Sequence, residues 1–201
     1  MLDGWAKRRI DPLMEIVAAQ LAGAGITANQ VTVASWAVGL AAAAAIAVEW
    51  YLVGLVLFLL NRLGDGLDGA IARLRGPTEL GGYLDIVLDF TVYGAIPLGF
   101  ILAEPDANAL AGAVLLVSFY VNGASFLAFA AVAARRGLAT RARGTKTIYF
   151  TTGLAEGTET ILFFVLFCLL PQFFAPLALV FAAMCFWTAF WRVMEARRLF
   201  G

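Results

Sequence analysis

The chain has 201 residues, of which 62% are hydrophobic and only 14% charged, with no histidine and a formal net charge of zero. A soluble domain is roughly 45–50% apolar and roughly 25% charged, so composition and a mean hydropathy of +0.87 exclude a water-soluble fold and make a bilayer the solvent. Zero net charge removes any bulk attraction to nucleic acid, and the lack of histidine removes the usual general base and the commonest transition-metal ligand.

The N-terminus carries Lys7, Arg8 and Arg9 but no short apolar run with a cleavage site behind it, so it reads as mature chain without a signal peptide. In "DPLMEIVAAQLAGAG", Pro12 suits a first helical position. Leu13, Ile16, Val17 and Leu21 then recur at helical spacing, as in an amphipathic helix lying in the membrane interface. A short helix packed on the bundle is the alternative. Gly23 and Gly25 end it. Residues 1–28 are expected to form this interfacial helix and residues 29–201 one transmembrane domain.

A spanning helix needs about 20 mostly apolar residues. Six segments qualify: 29–48, 51–70, 81–103, 107–134, 147–170 and 174–191. The expected architecture is therefore all-α, an integral membrane bundle of six transmembrane helices behind the interfacial helix. The small-residue run Ala41 to Ala45 in the first span marks close helix packing. Cys168 and Cys185 lie in apolar runs, match no zinc spacing and read as packing residues. With six spans, all 14 basic residues fall on one side, including Arg62, Arg73, Arg75, Arg135, Arg136, Arg192, Arg197 and Arg198. The opposite turns carry Glu49, Glu104 and Asp106 without Lys or Arg. The positive-inside rule then places both termini on the cytoplasmic side of the membrane.

Acids inside a membrane span are costly and point to function. Asp65 and Asp68 are three apart near the end of the second span; Asp85 and Asp89 are four apart near the start of the third. Each spacing puts its pair on one helix face, and a short cytoplasmic loop lets the pairs meet. Four carboxylates in one pocket repel one another, so a cation is expected among them. Oxygen-only ligands favour a hard divalent ion, Mg²⁺ or Mn²⁺. Such ions commonly work in pairs on phosphate esters, so two per active site are expected. Gly64, Gly66, Gly69, Gly81 and Gly82 let a backbone or ligand approach closely, and Arg73, one turn past Gly69, suits phosphate oxygens.

The stretch "DGLDGAIARLRGPTELGGYLDIVLD" resembles the signature of the CDP-alcohol phosphatidyltransferase family, D-x2-D-G-x2-A-R-x7or8-G-x3-D-x3-D. Asp65, Asp68, Gly69, Ala72, Arg73, Gly81, Asp85 and Asp89 fill all eight fixed positions. The resemblance implies a phospholipid-synthesising enzyme that moves a phosphatidyl group from CDP-diacylglycerol to a small alcohol and releases CMP. It implies Asp65, Asp68 and Asp85 as metal ligands, with Asp89 as both ligand and general base. Asp68, Gly69, Ala72, Arg73 and Gly81 would bind the CDP unit. Asn29 and Thr32 in "ITANQVT" suit the CDP phosphates or ribose, or else the stretch is a helix cap made by Thr27 or Asn29. A homodimer in a bacterial inner membrane, with the site facing the cytoplasm, also follows from the resemblance and the topology.

Acceptor choice is expected from "RARGTKTIYFTTGLAEGTET". Arg141, Arg143 and Lys146 suit an acceptor phosphate or simply obey the positive-inside rule. Glu156 and Glu159 suit acceptor hydroxyls or an amine, or act as polar helix glue with Arg62. Glycerol 3-phosphate is the leading acceptor; inositol, serine and amino alcohols are the alternatives. A divalent-cation transporter and a catalytically silent scaffold are the rival classes.

Overall fold

The computed structural model describes residues 2–136, 154 and 157–201, with side chains from Leu13 onward. Seven helices are seen among them: α1 (Leu2–Gly23), α2 (Ala28–Ala47), α3 (Tyr51–Arg75), α4 (Glu79–Ala103), α5 (Pro105–Arg135), α6 (Gly157–Leu169) and α7 (Phe174–Phe200). A single 3-10 turn, Pro171–Phe173, precedes α7. No strand occurs among the described residues. The protein is an all-α membrane bundle, and the six segments expected as spans fall on α2 through α7. Among the described residues, four segments are long and apolar enough to cross a bilayer: Ala28–Ala47, Glu79–Ala103, Pro105–Arg135 and Pro171–Phe200. In α3 the polar residues Asn61, Arg62, Asp65 and Asp68 interrupt the apolar run. For the fifth expected span, 147–153 and 155–156 lie outside the described residues, and α6 supplies the rest.

Several boundaries move. α1 begins at Leu2, so Pro12 is interior rather than first. There it withholds one backbone N–H from the helix ladder without ending the helix. α3 runs five residues beyond the expected 70, because nothing breaks it before Gly76, whose φ of +94° turns the chain ahead of Pro77. α7 likewise continues to Phe200, past the expected 191.

The chain forms two compact units, residues 1–106 with 164–171 and residues 107–163 with 172–201. In the first, α2 packs against both α3 and α4, while α1 lies along α3. Met14 of α1 sits over Gly66, and Ala18 packs into a buried cluster with Ala70 and Ile71. Leu13 and Ile16 remain exposed, so α1 has both a packed edge and an outward apolar edge. Arg75 donates to the Ala22 carbonyl and ties the end of α1 to α3. The small residues of α2 make helix contacts: Ala42, Ala43 and Ala45 are buried, with Ile46 beside them. A ring cluster of Phe58, Tyr93, Phe100, Phe164 and Phe167 fills the rest of this core.

In the second unit Phe181 of α7 stacks on Phe163 at 4.4 Å and meets Phe119 of α5 edge-on at 5.3 Å. Arg192 donates to the carbonyl and the side chain of Asn122 and to Ser125. Cys168 and Cys185 are free and buried, as expected of packing residues.

Candidate active site

Three helices of the first unit build one polar pocket. α2 contributes Thr32, Ser35 and Trp36; α3 contributes Asn61, Asp65 and Asp68; α4 contributes Asp85, Leu88, Asp89 and Val92. About 220 Å³ of empty space, open solvent included, lies between these residues. The two carboxylate pairs thus meet, as their spacing requires, but across a wall supplied by α2. Gly64 makes that wall possible: a Cβ there would collide with Ser35 Oγ, so α2 and α3 close only around glycine. Gly64 and Gly66 therefore serve helix packing, against Ser35 and Met14 respectively.

Asp65, Asp68 and Asp85 each offer a carboxylate oxygen, and these oxygens all lie within 4.8 Å of one another. Asp68 is buried, and its Oδ2 has no hydrogen-bond partner among the described residues. A buried carboxylate oxygen left open is costly unless something enters to meet it. Three convergent carboxylates and no nitrogen or sulfur donor fit a hard divalent cation. Trp36 Nε1, also buried, is a second open polar atom on the pocket wall.

Asp89 lines the same pocket but points elsewhere. Arg62 Nη2 donates to Asp89 Oδ1 at 2.5 Å and Nη1 to Oδ2 at 3.3 Å. Arg62 also approaches Asp65 Oδ2, at 3.8 Å. Arg62, expected to follow membrane topology or to pair with Glu156 and Glu159, thus stands against two of the pocket's aspartates.

The other expected residues stand at the helix ends around the pocket or, like Thr32, on its wall. Thr27 caps α2 in a capping box: Gln30 N donates to Thr27 Oγ1 at 3.3 Å, and Thr27 N donates to Gln30 Oε1 at 2.9 Å. Asn29 is therefore not the cap. Its Oδ1 lies 2.9 Å from where a Cβ on Gly81 would stand, so only glycine fits beneath it. Thr78 Oγ1 caps α4 by accepting from Gly81 N at 3.0 Å. Thr32 donates to the Ala28 carbonyl at 3.0 Å and faces the Asp68 carboxylate. Arg73 is exposed, and its Nη1 comes within 3.6 Å of where a Cβ on Gly69 would stand, while Ala72 is half-buried beside it. Arg141, Arg143, Lys146 and Glu156 lie outside the described residues; Glu159 stands in the first turn of α6.

Comparison with known proteins gives the family and the fold. The family model for CDP-alcohol phosphatidyltransferase matches residues 25–193. The chain belongs to that family. It is a membrane-embedded transferase of phospholipid synthesis. Among curated proteins it is 50% identical over 193 residues to the inner membrane protein YnjF of Escherichia coli (strain K12), covering 96% of this chain and 94% of that one. It is 34% identical over 113 residues to an archaetidylinositol phosphate synthase of Methanothermobacter thermautotrophicus, covering 56% of this chain and 54% of the other. Its fold is similar to that of the Mycobacterium tuberculosis phosphatidylinositol phosphate synthase (PgsA1) with CDP-DAG bound. That likeness has a TM-score of 0.66 at 21% identity and covers 92% of this chain and 93% of that one. The transporter alternative gains no support from the family or the fold.

Sequence reading missed Ser35, Trp36, Asn61, Arg62 and Tyr93. One signal was available. Asn61 and Arg62 stand four and three residues before Asp65 in an otherwise apolar run, which places them on its face of α3.

Proposed function

We propose that the protein transfers a phosphatidyl group from CDP-diacylglycerol to the hydroxyl of a small phosphorylated polyol and releases CMP. The observation that carries this is the convergence of Asp65, Asp68 and Asp85 within 4.8 Å, with a buried Asp68 oxygen left open, inside a family of that chemistry. Those three aspartates would hold Mg²⁺ or Mn²⁺, which when bound neutralises the diphosphate of the donor and stabilises the leaving phosphate oxygen.

The chain's own residues supply the rest. Asn29, Thr32, Gly69, Ala72, Arg73 and Gly81 surround the CDP unit, with glycines where the ligand must lie against backbone. Arg73 donates to phosphate oxygens. Asp89, held in one orientation by Arg62, accepts the acceptor's hydroxyl proton at a carboxylate oxygen. The freed oxygen attacks the β-phosphorus as the phosphorus–oxygen bond to CMP breaks. No covalent enzyme intermediate is needed.

For the acceptor, Arg141, Arg143 and Lys146 would bind its phosphate. Glycerol 3-phosphate and an inositol phosphate both fit. The names of the archaeal relative and the mycobacterial fold neighbour favour the inositol phosphate. Glu156 and Glu159 would contact the polyol hydroxyls. The relative from Escherichia coli and the one-sided basic residues support an inner membrane location with the site toward the cytoplasm, and the family resemblance supports a homodimer.

The test is CMP release by the purified protein with CDP-diacylglycerol and Mn²⁺, offered inositol phosphate, glycerol 3-phosphate, inositol, serine and ethanolamine in turn. Release dependent on a phosphorylated polyol is expected. Release with an unphosphorylated alcohol alone would overturn the acceptor class, and no release with any acceptor would overturn the reading.

A further inference from the structure

The acidic pocket already contains a fixed positive charge. A guanidinium has five N–H groups, and Arg62 uses every one. Nε and Nη2 donate to Asn61 Oδ1 at 2.9 and 2.7 Å; Nη1 donates to Tyr93 Oη at 3.0 Å and to Asp89 Oδ2 at 3.3 Å; Nη2 donates to Asp89 Oδ1 at 2.5 Å. The group also sits 5.1 Å from the centre of the Tyr93 ring and 5.7 Å from that of Phe58. Asn61 is fixed in turn, because its Nδ2 donates to the Ser35 carbonyl at 2.8 Å. The Arg62 side chain is only 9% exposed. Moving it would strip a partner from the half-buried Tyr93 and leave the buried Asn61 Oδ1 unmet, at the cost of a buried polar group without a hydrogen bond.

The four aspartates are divided by this arrangement. Asp65, Asp68 and Asp85 each bring a carboxylate oxygen within 4.8 Å of the others, and Asp68 Oδ2 is buried and open. Both oxygens of Asp89 face the guanidinium. Paired metal ions on phosphate esters lie about 3.5–4 Å apart and share carboxylates. Here the guanidinium holds Asp89 and stands 3.8 Å from Asp65 Oδ2. A second ion bridging those two residues would meet a like charge that is locked in place.

We infer that Arg62 occupies the role of a second divalent ion at Asp89, so that the pocket takes one metal ion, on Asp65, Asp68 and Asp85. This rests on the proposed function and departs from the pair of ions expected for phosphate chemistry. It also gives Asp89 a single task, the acceptor's proton, and makes Arg62 a positioning residue for it.

The test counts ions rather than turnover. The full-length protein in detergent is titrated with Mn²⁺ in the presence of CDP and followed by electron paramagnetic resonance. Saturation at one Mn²⁺ per chain, with no spin–spin coupling, is expected. Two coupled ions per chain would overturn this inference and leave the proposed function standing. No saturable binding would overturn the metal site itself, and with it both readings. Arg62→Gln, which keeps bulk without charge, is expected to admit a second, coupled Mn²⁺, whereas Arg62→Lys stays at one. A well-folded Arg62→Gln protein that still binds one ion would show that Arg62 is not what excludes the second. Should that variant fail to fold, the wild-type count decides.

Discussion

At one end of α2, α3 and α4 the helices touch almost backbone to backbone; at the other they stand around a polar pocket. At the first end, a Cβ on Gly99 would lie 2.7 Å from the Ala43 carbonyl oxygen, and one on Gly54 would lie 3.2 Å from that of Ala42. Tyr51 stacks on Phe100 at 5.6 Å and closes the end. At the second end the same helices carry Thr32, Ser35, Asn61, Asp65, Asp68, Asp85 and Asp89 around an open polar pocket. In a bilayer there is little hydrophobic gain from bringing helices together, so close packing of small residues must fix the helix positions. The closed end can then hold the geometry that mutually repelling carboxylates would otherwise spread apart.

The sharpest way to break this division is Asp68→Ala. It should abolish turnover and the Mn²⁺ dependence of CDP binding, because the ion would link protein to diphosphate. Calorimetric titration with CDP, with and without Mn²⁺, checks it. Equal affinities in the unmutated protein would contradict a metal-bridged site.

Asp89→Asn should lower CMP release roughly 10²–10⁴-fold, the usual size of general-base loss, while leaving CDP affinity nearly unchanged. A parallel loss of CDP binding would mean that Asp89 belongs to the donor site instead.

A third region enters if Arg141, Arg143 or Lys146 binds the acceptor phosphate. Neutralising the responsible residue should raise the acceptor KM about 10- to 150-fold, the equivalent of roughly 1.5–3 kcal/mol, with CDP binding unaffected. Acceptor KM values unchanged in all three variants would place the acceptor elsewhere.

The smallest effect is expected at the closed end. Gly99→Ala should cost about 1–3 kcal/mol of stability by overpacking against the Ala43 carbonyl. It should lower Tm with turnover per folded molecule retained. Gly94→Ala, where a Cβ meets nothing within 4 Å, should be close to neutral. Equal Tm values for the two would show that close approach at Gly99 does not fix the helices.

The sequence by itself determined the all-α class, the run of apolar helices and the spacing that pairs the four aspartates, because apolar length and helical spacing are local properties. It also supplied the Gly81 requirement, as one fixed position of a motif. Where it offered alternatives or was silent, contacts in the folded chain decided, one of them local and the others between helices distant in the chain. Thr27, not Asn29, caps α2, because Gln30 stands three residues on to complete the box. α2, rather than direct contact between α3 and α4, walls the pocket, because Gly64 admits Ser35. Above all, the fold separated Asp89 from the other three aspartates. Spacing puts Asp85 and Asp89 on one face of α4, but only the tertiary structure brings Arg62, 27 residues earlier, against one of them and not the other. A helical repeat records which side a residue faces; which charge it meets there depends on how the neighbouring helix is rotated and how far along it the partner lies.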